Sequence, residues 1–481
     1  MKSTIILFIV GMLVVCNALT LTQLKAQLSG KVIGQRDPGY NDVRTGYNSR
    51  YSRLPTLIVQ PYNTADVVLA LEYAQSNGLQ VSVKSGGHSA SLLSVLDDRV
   101  VIDFSQMKGK TFDNASMTIT AQPGNRWVDF YNYSINTYGV ATPGGNCPSV
   151  GIGGLSLGGG ANELASVYGA AVDNILEIEI VLANRSVVTA SATTNPDLFW
   201  ALRGAGHQSY GVVTQLKYRV YNIRPTYYSA WITYKWADFE KVLYFVGQYS
   251  KTMPNDVNLY FTGWRSGNAT TPSVALSCFS NGLPENGESL CGVFRNISGA
   301  VPLSFDFTVQ SYYTTVSTGS DPKARRSYTK NTFLRDLTPL TIRTIRRSLE
   351  ASPISPFNYN TARLNLYWTG GAVLDKPRNY TAFVHRTYPW NAVWLSSWAS
   401  GDKSDAYHDW ILGTYGAMRL FSVREAYQNY QDDELRDWEQ LYYAENYPQL
   451  RVIKSKYDPM NYFSYLQSVR PVGAEYEWDF Y

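Results

Sequence analysis

Apolar runs and polar punctuation alternate along the chain with a period that changes twice. Residues 30–53 carry no clear period and are expected to be loop. Leu57-Ile58-Val59 is a short strand that ends at Pro61, and Asn63 or Thr64 then caps a helix whose apolar face is Val67, Val68, Leu71 and Ala74, closed by Gly78. A strand over Leu79–Lys84 runs straight into Ser85-Gly86-Gly87-His88-Ser89. Further strands are expected at Val100–Phe104 and Met117–Ala121, and a helix from Trp127 to Tyr138 ends at Gly139. Glu177–Leu182 and Ser186–Ala190 form a hairpin-like pair turning at Asn184. Asn195-Pro196-Asp197 opens a helix through Leu202, and a tight loop over Gly204–Gly211 feeds a strand over Val212–Val220.

From about Tyr227 the period becomes that of strands rich in Tyr and Trp. Tyr227–Tyr234, Val257–Trp264 and Val274–Phe279 alternate with helical segments. Val301–Thr315 is loop and strand, Leu337–Ser348 is helical and basic, and Arg363–Trp368 with Ala392–Ser397 belong to one antiparallel sheet. This half has the pattern of a second domain that holds a substrate. Helical periodicity returns over Asp432–Tyr443 and Tyr447–Tyr457, followed by Lys456-Tyr457-Asp458-Pro459-Met460-Asn461. No internal repeat or low-complexity segment interrupts the pattern.

Composition sets outer bounds. The 481 residues are 17% charged and 44% hydrophobic, which describes a folded chain long enough for two or more domains. A net charge of +4 without a basic tract argues against nucleic acid as a partner. Lys2, the apolar run Ile5–Val15 and the small residues after it have the order of a signal peptide over residues 1–18, with cleavage near Ala18. The run is too short to span a bilayer and no second one follows, so a secreted or lumenal protein without a membrane span is expected. Six Asn-x-Ser/Thr triplets, at Asn114, Asn132, Asn184, Asn268, Asn296 and Asn379, are weak support for export. Of the 4 Cys, Cys16 leaves with the signal peptide, and Cys278 and Cys291 flank a turn-rich segment and are expected to pair in an oxidising compartment. Cys147 is then the odd one out. Its ordinary reading is a buried, inert thiol, but its surroundings are unusual for that.

Eight of the 17 residues from Gly144 to Gly160 are glycine. Glycines at this density let backbone N–H groups turn inward and hold a pyrophosphate without a cationic side chain. Competing chemistries are poorly supported. The 4 His are His88, His207, His385 and His408, none at zinc-ligand spacing, and there is no Cys-x-x-Cys, so no metal site is expected. A Gly-x-Ser-x-Gly elbow is absent, and Gly151-Ile152-Gly153-Gly154 lacks the strand–helix setting of a nicotinamide fold.

At these residues the chain resembles the berberine-bridge-enzyme-like family of FAD-linked oxidases. The resemblance rests on Ser85–Ser89, Cys147–Gly154, Asp173-Asn174, Arg203–Gly206, Tyr210–Thr214 and Lys456–Phe463 with Gln467-Ser468, in the family's order. Gly370-Gly371-Ala372 and Thr381–Arg386 resemble the substrate domain of carbohydrate-oxidising members. Lys84, where many relatives carry Arg, and Ala161-Asn162 depart from the pattern. The resemblance implies an α+β, two-domain FAD-linked oxidase. Its flavin-binding domain is discontinuous, spanning residues 19–223 and a returning segment 432–481. The substrate domain, 224–431, is an antiparallel sheet flanked by helices.

The resemblance also implies that His88 and Cys147 bond covalently to the flavin ring, which would explain the odd cysteine. Lys84, Ser85, Gly86, Gly87, Ser89, Gly151, Gly153, Gly154, Gly158, Asp173, Asn174, Gly211, Val213 and Asn461 are carried over as cofactor-binding positions. Val150 stands where the family gates oxygen. The implied reaction oxidises an alcohol or hemiacetal carbon of a small molecule, a sugar or a phenolic, with O2 as acceptor and hydrogen peroxide as product. A base must take the hydroxyl proton. Tyr442 and Tyr443 match a family pair and are candidates, as are Asn365 and Tyr367 on one strand face. No carboxylate lies in Arg363–Thr369. The chain is read as a monomer. An oxidase of phenolic or alkaloid-like metabolites, and a flavin-carrying binding protein with little turnover, are the alternatives.

Overall fold

The computed structural model describes residues 18–318, 325–355, 361–399 and 404–474, so the expected signal peptide lies outside the described residues except for its last position. Strands Leu57–Gln60 and Val100–Asp103 are buried at every position, as strands covered on both faces must be. They pair in parallel, and Val81–Lys84 adds in parallel on the other side of Val100–Asp103. Helix Thr64–Ser76 makes the crossover. Its N-cap is Asn63, whose side chain accepts from the Asp66 N–H at 3.0 Å. The expected loop over 30–53 instead supplies an antiparallel edge strand, Lys31–Gly34, and a short helix, Tyr40–Val43. The strand's four residues, Lys31-Val32-Ile33-Gly34, hold only two apolar positions, too short a run to show a period.

A second sheet is antiparallel and five-stranded, ordered Lys110–Asp113, Thr118–Ala121, Val212–Arg219, Ile175–Val181, Val187–Ser191. Helix Trp127–Tyr138 packs its Trp127, Phe130 and Tyr131 into the same core, and Gly139 ends it with φ 67°, a conformation suited to glycine.

The third unit is a seven-stranded antiparallel sheet, ordered Pro302–Gln310, Tyr227–Tyr234, Ser273–Ser280, Val257–Ser266, Thr361–Trp368, Trp390–Trp398, Arg326–Leu334. Alternation divides it cleanly. Phe261, Leu364, Leu366 and Trp394 face a core closed by helices Phe239–Tyr249, Pro339–Glu350 and Ser404–Met418. Tyr260, Thr262, Trp264, Arg363, Asn365 and Tyr367 occupy the opposite face. Cys278 and Cys291 form the expected disulfide, tying strand Ser273–Ser280 to helix Pro284–Gly292.

The C-terminal stretch differs from its expected pattern. The helix begins only at Trp438, not at Asp432. Asp432 is withheld from helix because its carboxylate is buried 2.7 Å from Lys330 Nζ on the edge strand of the large sheet. From Trp438 onward the chain rejoins the first half: Trp438, Leu441, Tyr442, Tyr443 and Leu450 lie in the core of the five-stranded sheet. The fold is thus mixed helix and antiparallel sheet, as expected.

Candidate active site

Two loops build the centre of the site. Strand Val81–Lys84 delivers Ser85–Ser89, and the residues before helix Ile152–Gly158 supply Cys147–Gly151. A Cβ on Gly86 would lie 2.2 Å from Gly151 N, and one on Gly151 the same distance from Gly86 N, so the loops meet backbone on backbone. Ser85 Oγ donates to the Pro123 carbonyl at 2.5 Å, and Gly153 packs against the same proline and serine. This contact brings the two candidate attachment residues together. His88 Nε2 is 2.7 Å and Cys147 Sγ 3.7 Å from one Ser149 hydroxyl. Tyr47 stacks on the His88 ring at 4.9 Å, and its N–H donates to the Gly87 carbonyl at 2.8 Å. Ser89 Oγ donates to Gln431 Oε1 at 2.9 Å, tying the first loop to the C-terminal segment.

Several cofactor candidates have other work. Lys84 Nζ donates to the Val43 carbonyl and its stem lies under Gly87. Burial lowers its pKa, with Asp103 opposing and Arg126 reinforcing the shift. A Cβ on Gly158 would run into Asn429 and His207, whereas one on Gly154 would meet nothing within 4 Å. Gly154, not Gly158, therefore borders open space. Both oxygens of Asp173 are taken by Arg386, at 2.6 and 3.0 Å in full burial, so its side chain seals the fold and offers a ligand nothing. Asn174 is likewise spent on the Tyr168 and Ala170 carbonyls and the Tyr221 hydroxyl. Gly211 abuts the Val181 carbonyl and Val213 is in the core. Asn461 takes φ 52° in a turn whose neighbours Tyr462 and Ser464 bond Leu79 and Gln80, at the start of strand Val81–Lys84 and opposite the end that carries His88. Val150 closes a turn onto the Cys147 carbonyl and packs, half-buried, against the core.

The base candidates divide. Tyr442 and Tyr443 are each 1% exposed, inside the core, and burial raises both pKa values well above the ordinary phenol. The Tyr442 oxygen accepts from the Asp432 N–H at 3.1 Å. Neither ring reaches the cleft, which corrects the expectation of a base there: an aromatic pair on a helix is the more common core feature.

Beside the expected Tyr367 stand phenols from a segment that the sequence reading passed over, Tyr427-Gln428-Asn429-Tyr430. Tyr430 stacks on Tyr367 at 6.5 Å, and Tyr367 stands 5.0 Å from Tyr260. Asn365 accepts from Tyr260 at 2.8 Å and Thr262 at 3.1 Å, and its amide donates to the Tyr367 hydroxyl at 3.4 Å. Asn365 and Tyr367 therefore share one face, as alternation requires. Burial raises the pKa of Tyr430, and a hydrogen bond from Tyr367 pulls it back. Tyr427 accepts from the Gly160 N–H at 2.6 Å and from Asn429 at 2.5 Å; burial still pushes its pKa up to about 12. His385 supports this segment from below, 2.9 Å from Glu425 and 3.0 Å from Gln428, which in turn donates to the Gly204 carbonyl at 2.7 Å. His207 bonds the Gly154 carbonyl at 2.7 Å, and His408 pairs with Glu434 at the surface. The signal that could have found the segment was three cleft-type polar residues directly before an acidic pair, Asp432-Asp433.

These residues suit a flavin. Glycines pack two loops to backbone contact and leave an open flank at Gly154. A His and a Cys outside the disulfide converge beside them, and an aromatic face lies opposite. No group of metal-ligating side chains is present among the described residues, and no described helix is long and apolar enough to cross a membrane.

Comparison with known proteins agrees with this. The FAD binding domain family matches residues 55–191, and the berberine and berberine-like family matches residues 426–470, the segment that carries Tyr427 and Tyr430. The chain is 28% identical over 464 residues to the uncharacterised FAD-linked oxidoreductase YgaK of Bacillus subtilis, covering 93% of this chain and 98% of that protein. It is 28% identical over 454 residues to the xylooligosaccharide oxidase of Thermothelomyces thermophilus, covering 88% and 89%. Its fold superposes on that of BBE-like 1 from Physcomitrella patens with a TM-score of 0.85 at 25% identity, over 94% of this chain and 99% of that one.

Proposed function

The chain belongs to the berberine-bridge-enzyme-like family of FAD-linked oxidoreductases, and from that premise we propose that it is an exported oxidase of sugar hemiacetals that holds FAD through both His88 and Cys147. The observation that carries the attachment is the convergence of His88 and Cys147 on the Ser149 hydroxyl from two separate loops. Bound FAD supplies the two-electron acceptor for a C–H bond on the hemiacetal carbon, with reoxidation by O2 giving hydrogen peroxide and the sugar leaving as a lactone. The protein supplies position and a proton acceptor.

Tyr430 is that acceptor. It stands beside the Tyr367–Asn365 pair, and the hydrogen bond it receives from Tyr367 favours its anion. The sheet face opposite is suited to a polyhydroxylated ring: it interleaves Tyr260 and Trp264 with Thr262 and Asn365, and Asn391 lies on the same face beside Tyr367. Export is supported by the disulfide and by the N-terminal pattern.

The first test is the visible spectrum of denatured, washed protein. Flavin colour retained by wild type, His88→Ala and Cys147→Ala but lost from the double variant establishes two bonds; colourless wild type refutes them. The second is peroxide formation on reducing sugars. Tyr430→Phe should lower kcat by about 10²–10⁴-fold, with Tyr442→Phe near wild type. Because burial holds the Tyr430 phenol above its usual value, kcat/KM should climb through neutral pH into the alkaline range. A plateau reached near pH 6 would mean that another group is the base.

A further inference from the structure

The substrate-facing side of the seven-stranded sheet carries two charged residues among those described. Register places Arg363 beside Trp264 and two residues before Asn365, and places Asp306 next to Trp231 on the far edge strand. Asp306 is four strands from the Arg363 strand, on the order of 19 Å, beyond a Debye length at physiological salt. Among the described residues, Arg363 forms no ion pair with a carboxylate.

Its hydrogen bonding is also incomplete. Arg363 Nε is buried without a partner. Two other arginines share that feature, but Arg53 pairs with Asp97 and Arg451 donates to the Pro471 and Ala474 carbonyls. The fully buried Arg386 and the nearly buried Arg265 are satisfied by carbonyls, hydroxyls or a carboxylate. Among the described residues, Arg363 faces the Tyr260 and Tyr367 hydroxyls and makes a ring contact at 5.9 Å to Trp264. A half-buried guanidinium at the side of a cleft with its Nε unpartnered is suited to receive a planar or tetrahedral anion.

Resting on the saccharide reading above, we propose that the substrate is an acidic saccharide and that Arg363 binds its anionic substituent, a carboxylate or a sulfate ester. The spacing sets where that substituent lies. Arg363 stands two positions from Asn365 along the strand, about 7 Å, and Tyr367 and Tyr430 lie beyond. The anion therefore belongs to the part of the substrate away from the oxidised carbon, such as the second sugar of a disaccharide. Arg363 is a binding residue and takes no part in proton transfer, so its removal should appear in KM and leave kcat in place.

The test uses the flavin-loaded wild type with Arg363→Gln and Arg363→Lys. Three reducing disaccharides that share one reducing sugar are compared: neutral, terminated by a uronic acid, and terminated by a sulfated sugar. A methyl glycoside of the uronic acid, which has no hemiacetal to oxidise, is titrated by calorimetry as a readout of binding alone. Wild type should take one acidic disaccharide with a KM about 10- to 100-fold below the neutral one. Arg363→Gln should remove that preference at unchanged kcat and melting temperature, Arg363→Lys should restore part of it, and binding of the methyl glycoside should weaken with salt. The acidic compound that shows the preference identifies carboxylate or sulfate. Equal KM values for neutral and acidic sugars in wild type, or a preference that survives Arg363→Gln, overturn the proposal and leave the sugar oxidase intact. If no sugar bleaches the flavin but carboxylated phenols do so, in an Arg363-dependent way, the saccharide reading fails and the anion anchor stands.

Discussion

The backbone contact between Gly86 and Gly151 can be broken by a single methyl group. A methyl group on Gly86 would sit 2.2 Å from Gly151 N, 2.7 Å from Gly151 Cα and 3.1 Å from the Ser149 carbonyl. An ordinary carbon contact needs about 3.5 Å or more, so Gly86→Ala must drive the loops apart by roughly 1 Å. Both neighbours are backbone, and no side-chain rotation relieves the clash. Overpacking of this kind costs about 1–3 kcal/mol. The functional loss should be larger than the stability loss, because the displacement separates the residues on either side of Ser149. Gly154 is the control. A Cβ there meets nothing, and alanine in helix Ile152–Gly158 is favoured over glycine by up to about 1 kcal/mol. Thermal unfolding and the spectrum of denatured, washed protein separate these effects. Gly86→Ala should melt lower and lose one or both flavin bonds. Gly154→Ala should melt at or above wild type, and Gly154→Leu should fold but load little flavin, since its side chain fills the open flank. Gly86→Ala with wild-type melting and full covalent flavin would refute the claim that backbone contact between the loops sets the site.

Three further outcomes are expected. Arg386→Met should cost about 3–5 kcal/mol in urea unfolding, because it strands a buried Asp173 carboxylate; adding Asp173→Leu should recover part of it, and a single-variant cost under about 1 kcal/mol would contradict a sealed pair. His207 has a pKa lowered by burial, partly offset by the Gly154 carbonyl and Asn429, so the folded state binds fewer protons than the unfolded one as pH drops below about 6.5. Melting temperature should therefore fall between pH 7.5 and 5.5, and less steeply in His207→Gln; identical slopes would rule out His207 as a source. Lys330→Met should destabilise by a few kcal/mol and lower kcat while covalent flavin persists. Loss of the flavin bonds would show that the segment it holds shapes the cofactor loops as well.

The parts of this protein legible in its sequence were those where one local rule decides. Strand Val81–Lys84 entering a Gly-Gly-His turn, the capped helix that follows Asn63 and the alternation of Asn365 with Tyr367 each follow from a few neighbouring residues. The disulfide did too, since its two cysteines bracket one turn. What could not be read depended on distant partners. Helical spacing continues back to Asp432, but a lysine 102 residues earlier holds that side chain elsewhere. Tyr442-Tyr443 and Tyr427–Tyr430 look alike as tyrosines near an acidic run. One pair is in the core and the other in the cleft because the chain changes partner between them, from the edge of the large sheet to the core of the five-stranded one. Asp173 looked like a ligand because nothing nearby in sequence announces Arg386.

That change of partner explains how two separately built units can present one reaction site. Residues 423–434 run along the exposed edge of strand Arg326–Leu334, exchanging backbone bonds at Phe333 and taking both Tyr427 and Tyr430 carbonyls onto Asn331. The same residues grip the cofactor loops: Tyr427 at Gly160, Asn429 at the Leu155 carbonyl, and Gln431 at Ser89 beside His88. A second tie lies beside them: Asn48, next to Tyr47, exchanges bonds with Ser327 on the same strand and donates to the Ala90 carbonyl at 2.7 Å. The strap bonded to both the large sheet and the glycine loops therefore helps to set their spacing, and it carries Tyr427 and Tyr430 beside the Tyr260 and Tyr367 phenols of the sheet. An error in its placement moves the proton acceptor relative to the attachment residues and to the sheet face at once. Reacting atoms must be held to within a fraction of an ångström of a productive distance. It follows that the buried Lys330–Asp432 pair, though remote from any substrate, acts on catalysis by position.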